Sequence, residues 1–324
     1  MQPKKIIIEG DWGVGKTTLL EYLRRQFSYD AIDEPLHRKN GVPDADATGW
    51  YVEQHKLRTN VLNVKDISVA MERSILSSIA FQYASGTEVN VLKKYRPDID
   101  ALMVERPLAV YLYSDVKKIE RETDDLVLRN AFASPNFFSR YHYFYTDVLP
   151  FEFGITPICI NTIIEGKKKD VADIAKNIFS ANDCNRLAQI NVVCFRKEDD
   201  GSIQFLLLKR NERKGGFWQT ITGGVKLHQP LPKALAAELN EEVGVTFAEG
   251  RCVKTGFSFN YIGGEGYELH EYVFGYEVGR DEKVVLSDEH TEFRWTTEGE
   301  AIVLLKYDGN KNAVRLLKEK LAKQ

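Results

Sequence analysis

Gly10-Asp11-Trp12-Gly13-Val14-Gly15-Lys16-Thr17 decides the first half of this chain, and Glu238-Leu239-Asn240-Glu241-Glu242-Val243-Gly244 decides the second. Before the glycine loop stands a short apolar run, Ile6 to Ile8; after it Leu19, Leu20, Leu23 and Phe27 recur at helical spacing. Strand, loop and helix in that order make a phosphate cradle, because backbone amides freed from side-chain bulk turn inward and the helix adds its positive end. Gly10, Gly13, Gly15, Lys16, Thr17 and Thr18 are the candidate phosphate-binding residues. Lys16 is expected to neutralise β and γ phosphates, and Thr17 to hold Mg2+.

Working outward, further strands are expected ending at Ile32-Asp33-Glu34-Pro35 and over Ile67 to Met71, Leu108 to Tyr113 and Ile155 to Ile160. Helices are expected over Trp50 to Val64 and from about Lys169 to Phe179. Alternation of this kind predicts a parallel α/β sheet with ligands beyond the carboxyl ends of its strands. The run Lys167-Lys168-Lys169 reads as a solvated helix entrance. A polar stretch, Ser180 to Arg186, marks a boundary between a domain over 1–182 and an α+β domain over 187–324. In the second, Ile190 to Arg196, Gln204 to Arg210 and Tyr267 to Glu277 read as strands, and Leu231 to Val243 and Lys311 to Ala322 as helices.

The 324 residues suit two domains of roughly 150 residues each. A formal charge of -3 lacks the basic footprint of a general nucleic-acid binder. Cys159, Cys184, Cys194 and Cys252 follow neither metal-ligand nor disulfide spacing, which suits a reducing compartment. No signal-peptide core or membrane-length apolar run is read, so a cytoplasmic chain without a membrane partner is expected.

With Asp33-Glu34-Pro35 and Met71-Glu72-Arg73-Ser74-Ile75 added to the loop, about the first 180 residues resemble the deoxynucleoside kinase and thymidylate kinase superfamily, while Ser77-Ser78-Ile79-Ala80-Phe81-Gln82 is more like the thymidylate branch. The resemblance implies a P-loop kinase fold, ATP as phosphoryl donor, Glu34 as general base, Glu72 as a magnesium ligand and Arg73 bracing the transferred group. Arg121 and Arg129 are its candidate lid arginines. Trp50 and Gln54 occupy a helix that contacts the base in that family, and Arg140, Tyr141 and Tyr145 are candidates to face the acceptor. A nucleoside hydroxyl must lose a proton as it attacks, whereas a monophosphate is already anionic and needs cations. Glu34 therefore favours a nucleoside. Asp33 stands where the thymidylate branch carries arginine, and His37, Arg38 and Lys39 are the cations that could replace it.

Glu238, Glu241 and Glu242, at i, i+3 and i+4, share one helical face, where mutual repulsion suggests a divalent cation. Together with Phe217-Trp218-Gln219-Thr220-Ile221-Thr222-Gly223-Gly224 before them and Gly244-Val245 after, they resemble the Nudix box. This likeness runs from Leu187 to Gln324, is nearest in pattern to enzymes acting on dATP or dihydroneopterin triphosphate, and implies Mg2+-dependent attack of water on a diphosphate. Gln229 and Ala237 depart from the box, where the family has a glutamate and an arginine that brace loop against helix. Glu289, on a late loop, is the candidate additional ligand or base.

The sequence thus predicts a bifunctional enzyme of nucleotide metabolism: a kinase for a (deoxy)nucleoside or nucleoside monophosphate joined to a Nudix pyrophosphohydrolase. The alternative is a kinase whose Nudix-like half only binds a nucleotide and regulates it. Small nucleosides and nucleotides are the expected partners, and a homodimer is left open.

Overall fold

β1 (Lys5–Gly10) is buried at every position, as three consecutive isoleucines require of a strand covered on both faces. The computed structural model describes residues 2–64, 66–86, 90–114 and 125–323. After β1 come α1 (Lys16–Phe27), β2 (Asp30–Ile32), α2 (Ala47–Leu62), β3 (Val69–Glu72), α3 (Ile75–Ser85), α4 (Val91–Lys94) and α5 (Arg96–Leu102). They continue with β4 (Leu108–Ser114), α6 (Leu126–Ala133), α7 (Phe137–Tyr143), α8 (Leu149–Glu152), β5 (Ile158–Ile164), β6 (Lys167–Lys168) and α9 (Val171–Asp183).

The strands lie in the order β2-β3-β1-β4-β5-β6. All pairs from β2 to β5 are parallel, and β6 returns antiparallel to β5. From β1 the chain builds two strands on one side, then crosses to β4 on the other. The carboxyl end of β1 is therefore the topological switch point, where such sheets bind ligands. Pairing of Ile8 with Glu72 brings the end of β3 level with the start of the glycine loop. At Gly10, with φ 143°, an added Cβ would fall 2.1 Å from the Leu112 carbonyl oxygen, so only glycine lets the chain turn here against β4.

Two strands begin later than their apolar runs suggest. Ile67 stays outside β3 because Asp66 beside it adopts a left-handed backbone, φ 61°. β5 starts at Ile158, after Pro157, which has no amide to give the ladder. The lysine run is not a helix entrance: Lys167 and Lys168 are exposed and pair with Ile164 and Ile163 in a hairpin. Its two turn residues, Glu165 and Gly166, both have positive φ, as a type I′ turn requires.

The remaining elements are β7 (Ala188–Lys197), β8 (Ile203–Arg210), β9 (Trp218–Gln219), β10 (Ile221–Val225), α10 (Leu231–Val243), β11 (Cys252–Ile262), β12 (Glu268–Glu277), β13 (His290–Thr296), α11 (Glu298–Leu304) and α12 (Asp308–Leu321). Their sheet runs β11-β12-β7-β8-β13, with β10 beside β7 and β9 beside β8. Val193 and Phe195 of β7 join Ala301, Leu305, Ala313, Val314 and Leu317 of the last two helices in one apolar core. β10, β11 and β13 were not legible as strands. β10 carries two glycines, and β13 is exposed at four central positions, so neither shows the alternation of a half-buried strand.

The chain divides into two compact units, Met1–Asn185 with Ile262–Glu268, and Arg186–Tyr261 with Leu269–Gln324. Among the described residues no helix is long and apolar enough to cross a membrane. The four cysteines are free thiols, and Cys184 is exposed.

Candidate functional sites

The first site gathers at the carboxyl ends of β1, β2 and β3. Gly15 caps α1 in a left-handed conformation, and Lys16 turns its ammonium onto the Asp11 carbonyl. Burial, reinforced by the nearby charge of Arg73, pushes the Lys16 amine down to about 7. Thr17 Oγ1 donates to Glu72 Oε1 at 3.0 Å, and burial together with Glu34 raises the Glu72 carboxyl. These paired oxygens are the hard donors that magnesium prefers, so the residues fit that ion.

Arg73 Nε lies 2.8 Å from Glu34 Oε1, and its guanidinium sits 4.6 Å from the Trp12 ring centroid. Burial alone would lower this group, but Glu34 and Glu9 outweigh it and hold Arg73 fully charged. Its backbone is left-handed, φ 56°, a strained geometry for a long side chain. The strain is held by Arg58 of α2, whose guanidinium donates to the carbonyls of Arg73 (3.0 Å), Glu72 (2.6 Å) and Ile32 (3.1 Å). Beneath, the buried Glu9 carboxylate accepts from the Ser74 amide at 2.8 Å and the Tyr145 hydroxyl at 2.9 Å, and also from the Ser74 and Ser77 hydroxyls.

A cleft lined by Trp12, Glu34, Thr48, Tyr51, His55 and Arg73, among others, opens beside this pair. Trp50 and Gln54, expected at the base, do not line it. Thr48, Tyr51 and His55 face it instead, because α2 is rotated by about 100°, one residue, relative to that expectation. Asp33 is ion-paired to Arg24 at 3.1 Å and is not among the lining residues. Arg38 is engaged by Asp44, with 2.8 and 2.7 Å contacts to its two oxygens. His37, Asp44 and Asp125 bring ligand atoms within 4.8 Å of one another, and the Asp44 carboxylate also accepts the Leu126 amide at the start of α6.

Of the other expected residues, Arg121 lies outside the described residues, and Arg129 is exposed on α6 and does not line the cleft. Arg140 is exposed and donates to the Tyr83 carbonyl at 2.7 Å. Tyr141 is buried behind Arg73, accepting its Nη1 at 3.3 Å, and Tyr145 is committed to Glu9. None of these three lines the cleft. Glu9 and Arg58 were missed in the sequence, although Arg58 falls on the buried stripe of α2 with Val52, His55, Thr59 and Leu62. An arginine on such a stripe signals a buried carbonyl clamp.

The second site is built on α10. Leu231, Ala234, Leu235, Leu239 and Val243 bury one face, Pro230 opens the helix, and Gly244 closes it with a left-handed cap. Glu238 lies so close to β10 that a Cβ on Gly223 would meet its carboxyl carbon at 1.9 Å. Burial first, then the charges of Glu241, Glu242 and Glu289, raise Glu238 to about 7. Glu242 behaves oppositely: burial would raise it, but His290 and Ser287 hold it below the usual range. Both act on Oε2, with His290 Nδ1 at 2.9 Å and Ser287 Oγ donating. The segment carrying Glu289 is fixed to the end of α10 by the amides of Val285 and Ser287, which donate to Val243 and Glu242 carbonyls at 2.9 and 3.3 Å. Glu289 itself pairs with Arg210 at 3.4 Å and with Lys214.

A buried carboxylate raised by the acids around it, as Glu238 is, belongs to a donor set that a divalent cation relieves, and these oxygens fit magnesium. Ala237 is exposed, and the Gln229 Oε1 accepts the Lys226 amide at 3.0 Å. The loop before α10 is therefore closed by an uncharged brace. Ser287 and His290 were missed, since a loop residue and the first residue of an edge strand, both distant in sequence from α10, give no periodic signal.

Residues 187–319 match the family model described as the NUDIX domain. Similar solved structures include an Ap4A hydrolase from C. elegans (22% identity, covering 42% of this chain and 98% of that one, TM-score 0.35). The dihydroneopterin triphosphate pyrophosphohydrolase of E. coli is 21% identical, covering 39% and 91%, with a TM-score of 0.34. The MutT protein of Methanosarcina mazei Go1 is 26% identical, covering 40% and 94%, with a TM-score of 0.33. A curated relative, an octanoyltransferase of Myxococcus xanthus, is 30% identical over 113 residues, 34% of this chain. The chain spans about a third of that relative's length, 31%.

Proposed function

We propose, from a carboxyl-terminal Nudix domain at residues 187–319, that this chain is a two-site enzyme of nucleotide metabolism. Its second unit hydrolyses a nucleoside di- or triphosphate derivative, and its first transfers a phosphoryl group from ATP to a (deoxy)nucleoside or nucleoside monophosphate. For the hydrolase, the observation that carries the reading is the placing of Glu238, Glu241 and Glu242 on α10, with the segment that carries Glu289 fixed to the end of that helix. For the kinase it is the juxtaposition of Thr17 with Glu72 and of Glu34 with Arg73 at the switch point of the sheet.

Magnesium, held by Thr17 and Glu72 in one unit and by the α10 glutamates in the other, would neutralise phosphate charge and polarise phosphoryl oxygens. In the first unit the loop amides and Lys16 hold the donor's phosphates. Glu34 takes the proton of the acceptor hydroxyl as its oxygen bonds to the γ-phosphorus and the bond to the β-phosphate oxygen breaks, leaving ADP. Arg73 fixes that carboxylate. In the second unit a carboxylate of α10 takes a proton from water as the water oxygen bonds to phosphorus and the bond from that phosphorus to its bridging oxygen breaks, releasing phosphate or pyrophosphate. The closed loop at Gln229 favours a working hydrolase over a purely regulatory domain.

A nucleoside acceptor is favoured over a monophosphate. Arg73 is the one arginine or lysine among the described lining residues and is already paired with Glu34, while Arg38 is tied to Asp44. Incubation with Mg2+, ATP and a panel of nucleosides and monophosphates tests the kinase, and absence of product from every acceptor removes it. Incubation with dNTPs and other nucleoside diphosphate derivatives tests the hydrolase through release of pyrophosphate or phosphate. Activity retained in Glu241→Gln would separate hydrolysis from α10.

A further inference from the structure

Beside the α10 carboxylates lies a patch that the proposed chemistry does not use. Phe217 and Tyr307 meet edge to face with ring centroids 5.4 Å apart, and Tyr307 is 50% exposed. The Lys306 ammonium stands 4.5 Å from the Phe217 centroid and 5.2 Å from that of Tyr307. The Arg210 guanidinium also approaches this ring, 5.9 Å from the Phe217 centroid. Its contact with Glu289 is long, 3.4 Å, and its Nε is buried without a hydrogen-bond partner. Lys214 holds the second oxygen of Glu289.

These groups form one prebuilt body. The Asn211 side chain accepts the Lys214 amide at 3.0 Å and donates to the Asp288 carbonyl at 3.0 Å, while the Asn211 amide donates to the Glu289 carbonyl at 2.9 Å. Cations and aromatic faces together select a ligand that is both anionic and planar. The one acid inside the cation pair is also close enough to Glu238 to raise its carboxyl.

We propose that Arg210, Lys214 and Lys306, with Phe217 and Tyr307, are the grip for a nucleoside polyphosphate, and that Glu289 is an internal placeholder which the polyphosphate displaces. Displacement releases the Glu289 carboxylate beside Glu238, so binding completes the acidic cluster. This inference rests on reading residues 187–319 as the hydrolytic unit. No bond is made or broken in the exchange: one anion replaces another on two cations.

The test uses the full chain without divalent metal, titrated with α,β-methylene-dATP and with inorganic tripolyphosphate. Hydrogen exchange at residues 210–217 and 287–290 distinguishes this site from the glycine loop. Removing the internal competitor in Glu289→Gln is expected to tighten α,β-methylene-dATP about threefold, the scale of one half-exposed ion pair. Arg210→Gln with Lys214→Gln is expected to weaken it about tenfold. Phe217→Leu is expected to weaken the nucleotide and leave tripolyphosphate unchanged. Unchanged or weaker binding in Glu289→Gln, or protection confined to other residues, overturns the proposal; equal loss of both probes in Phe217→Leu overturns its aromatic part. Hydrolysis that depends on Glu241 with no tightening in Glu289→Gln keeps the hydrolase and removes the placeholder. Tightening in a protein that hydrolyses nothing does the reverse.

Discussion

The two sites solve opposite electrostatic problems. In the first unit most acids are matched: Glu34 to Arg73, Asp33 to Arg24, Asp44 to Arg38, and Glu9 to a ring of hydroxyls and an amide, while Glu72 is raised by burial and by Glu34. In the second, Glu238 faces Glu241, Glu242 and Glu289 and is driven up to about 7. A site already neutralised by its own cations is preorganised, and has little charge left over for an anionic acceptor. A site of repelling carboxylates is incomplete until a cation binds. The contrast teaches that a cluster of carboxylates can be built either by pairing charge within the fold or by crowding like charges together.

The largest test of this contrast is selective loss. Glu34→Gln is expected to lower phosphoryl transfer by roughly 10²–10⁴-fold, the range for a general base, and to leave nucleotide hydrolysis unchanged in the same preparation. Glu241→Gln is expected to do the reverse, lowering hydrolysis on the order of 10²-fold while transfer persists. Steady-state rates of both reactions on each variant check this. Cross-loss in either variant would break the assignment of one reaction to each unit.

A second comparison concerns how each site is braced. Arg58→Met removes a buried guanidinium from three carbonyls and is expected to cost about 3 kcal/mol in the stability of the first unit. Gln229→Ala removes one hydrogen bond from an exposed loop and is expected to cost about 1 kcal/mol or less. Urea unfolding of the full chain, followed by unit-specific hydrogen exchange, measures both. Similar costs would mean that Arg58 is not the clamp holding Arg73.

The smallest effect is a difference in sign. Glu238 is raised from 4.5 to about 7, so between those values the native state binds a proton that the unfolded state lacks, and stability falls as pH rises. Lys16 is lowered from 10.5 to about 7. Above pH 7 the unfolded chain keeps a proton that native Lys16 has lost, so stability rises with pH up to about 10.5. Melting curves should therefore lose the first slope in Glu238→Gln and the second in Lys16→Met. Slopes that survive these substitutions would assign the titrations to other groups.

Much of this was legible because local rules govern it. The apolar Ile6 to Ile8 run, the glycines that follow and the helical spacing of Leu19, Leu20 and Leu23 define strand, loop and helix without tertiary help. α10 was read from Leu231 to Val243, the bounds it takes, because its apolar stripe, opening proline and closing glycine agree. Trp50 and Gln54 failed where local rules stop: a helix can be read from sequence, but its rotation is set by what it packs against. β13 failed because the edge strand exposes four successive side chains, Phe293 among them, so its two aromatics sit in a mostly polar run.

By itself, then, the sequence determined the two motifs and the elements that carry them, since the left-handed caps at Gly15 and Gly244 and the i, i+3, i+4 spacing of three glutamates are properties of neighbouring residues. Only the tertiary structure decided which charges are satisfied. Arg58 reaches carbonyls at the ends of two strands, Arg38 is taken by Asp44, and His290 reaches Glu242 from 48 positions along the chain. Charge is balanced across space rather than along sequence, and so the same residue types give a neutralised site in one unit and a repelling one in the other.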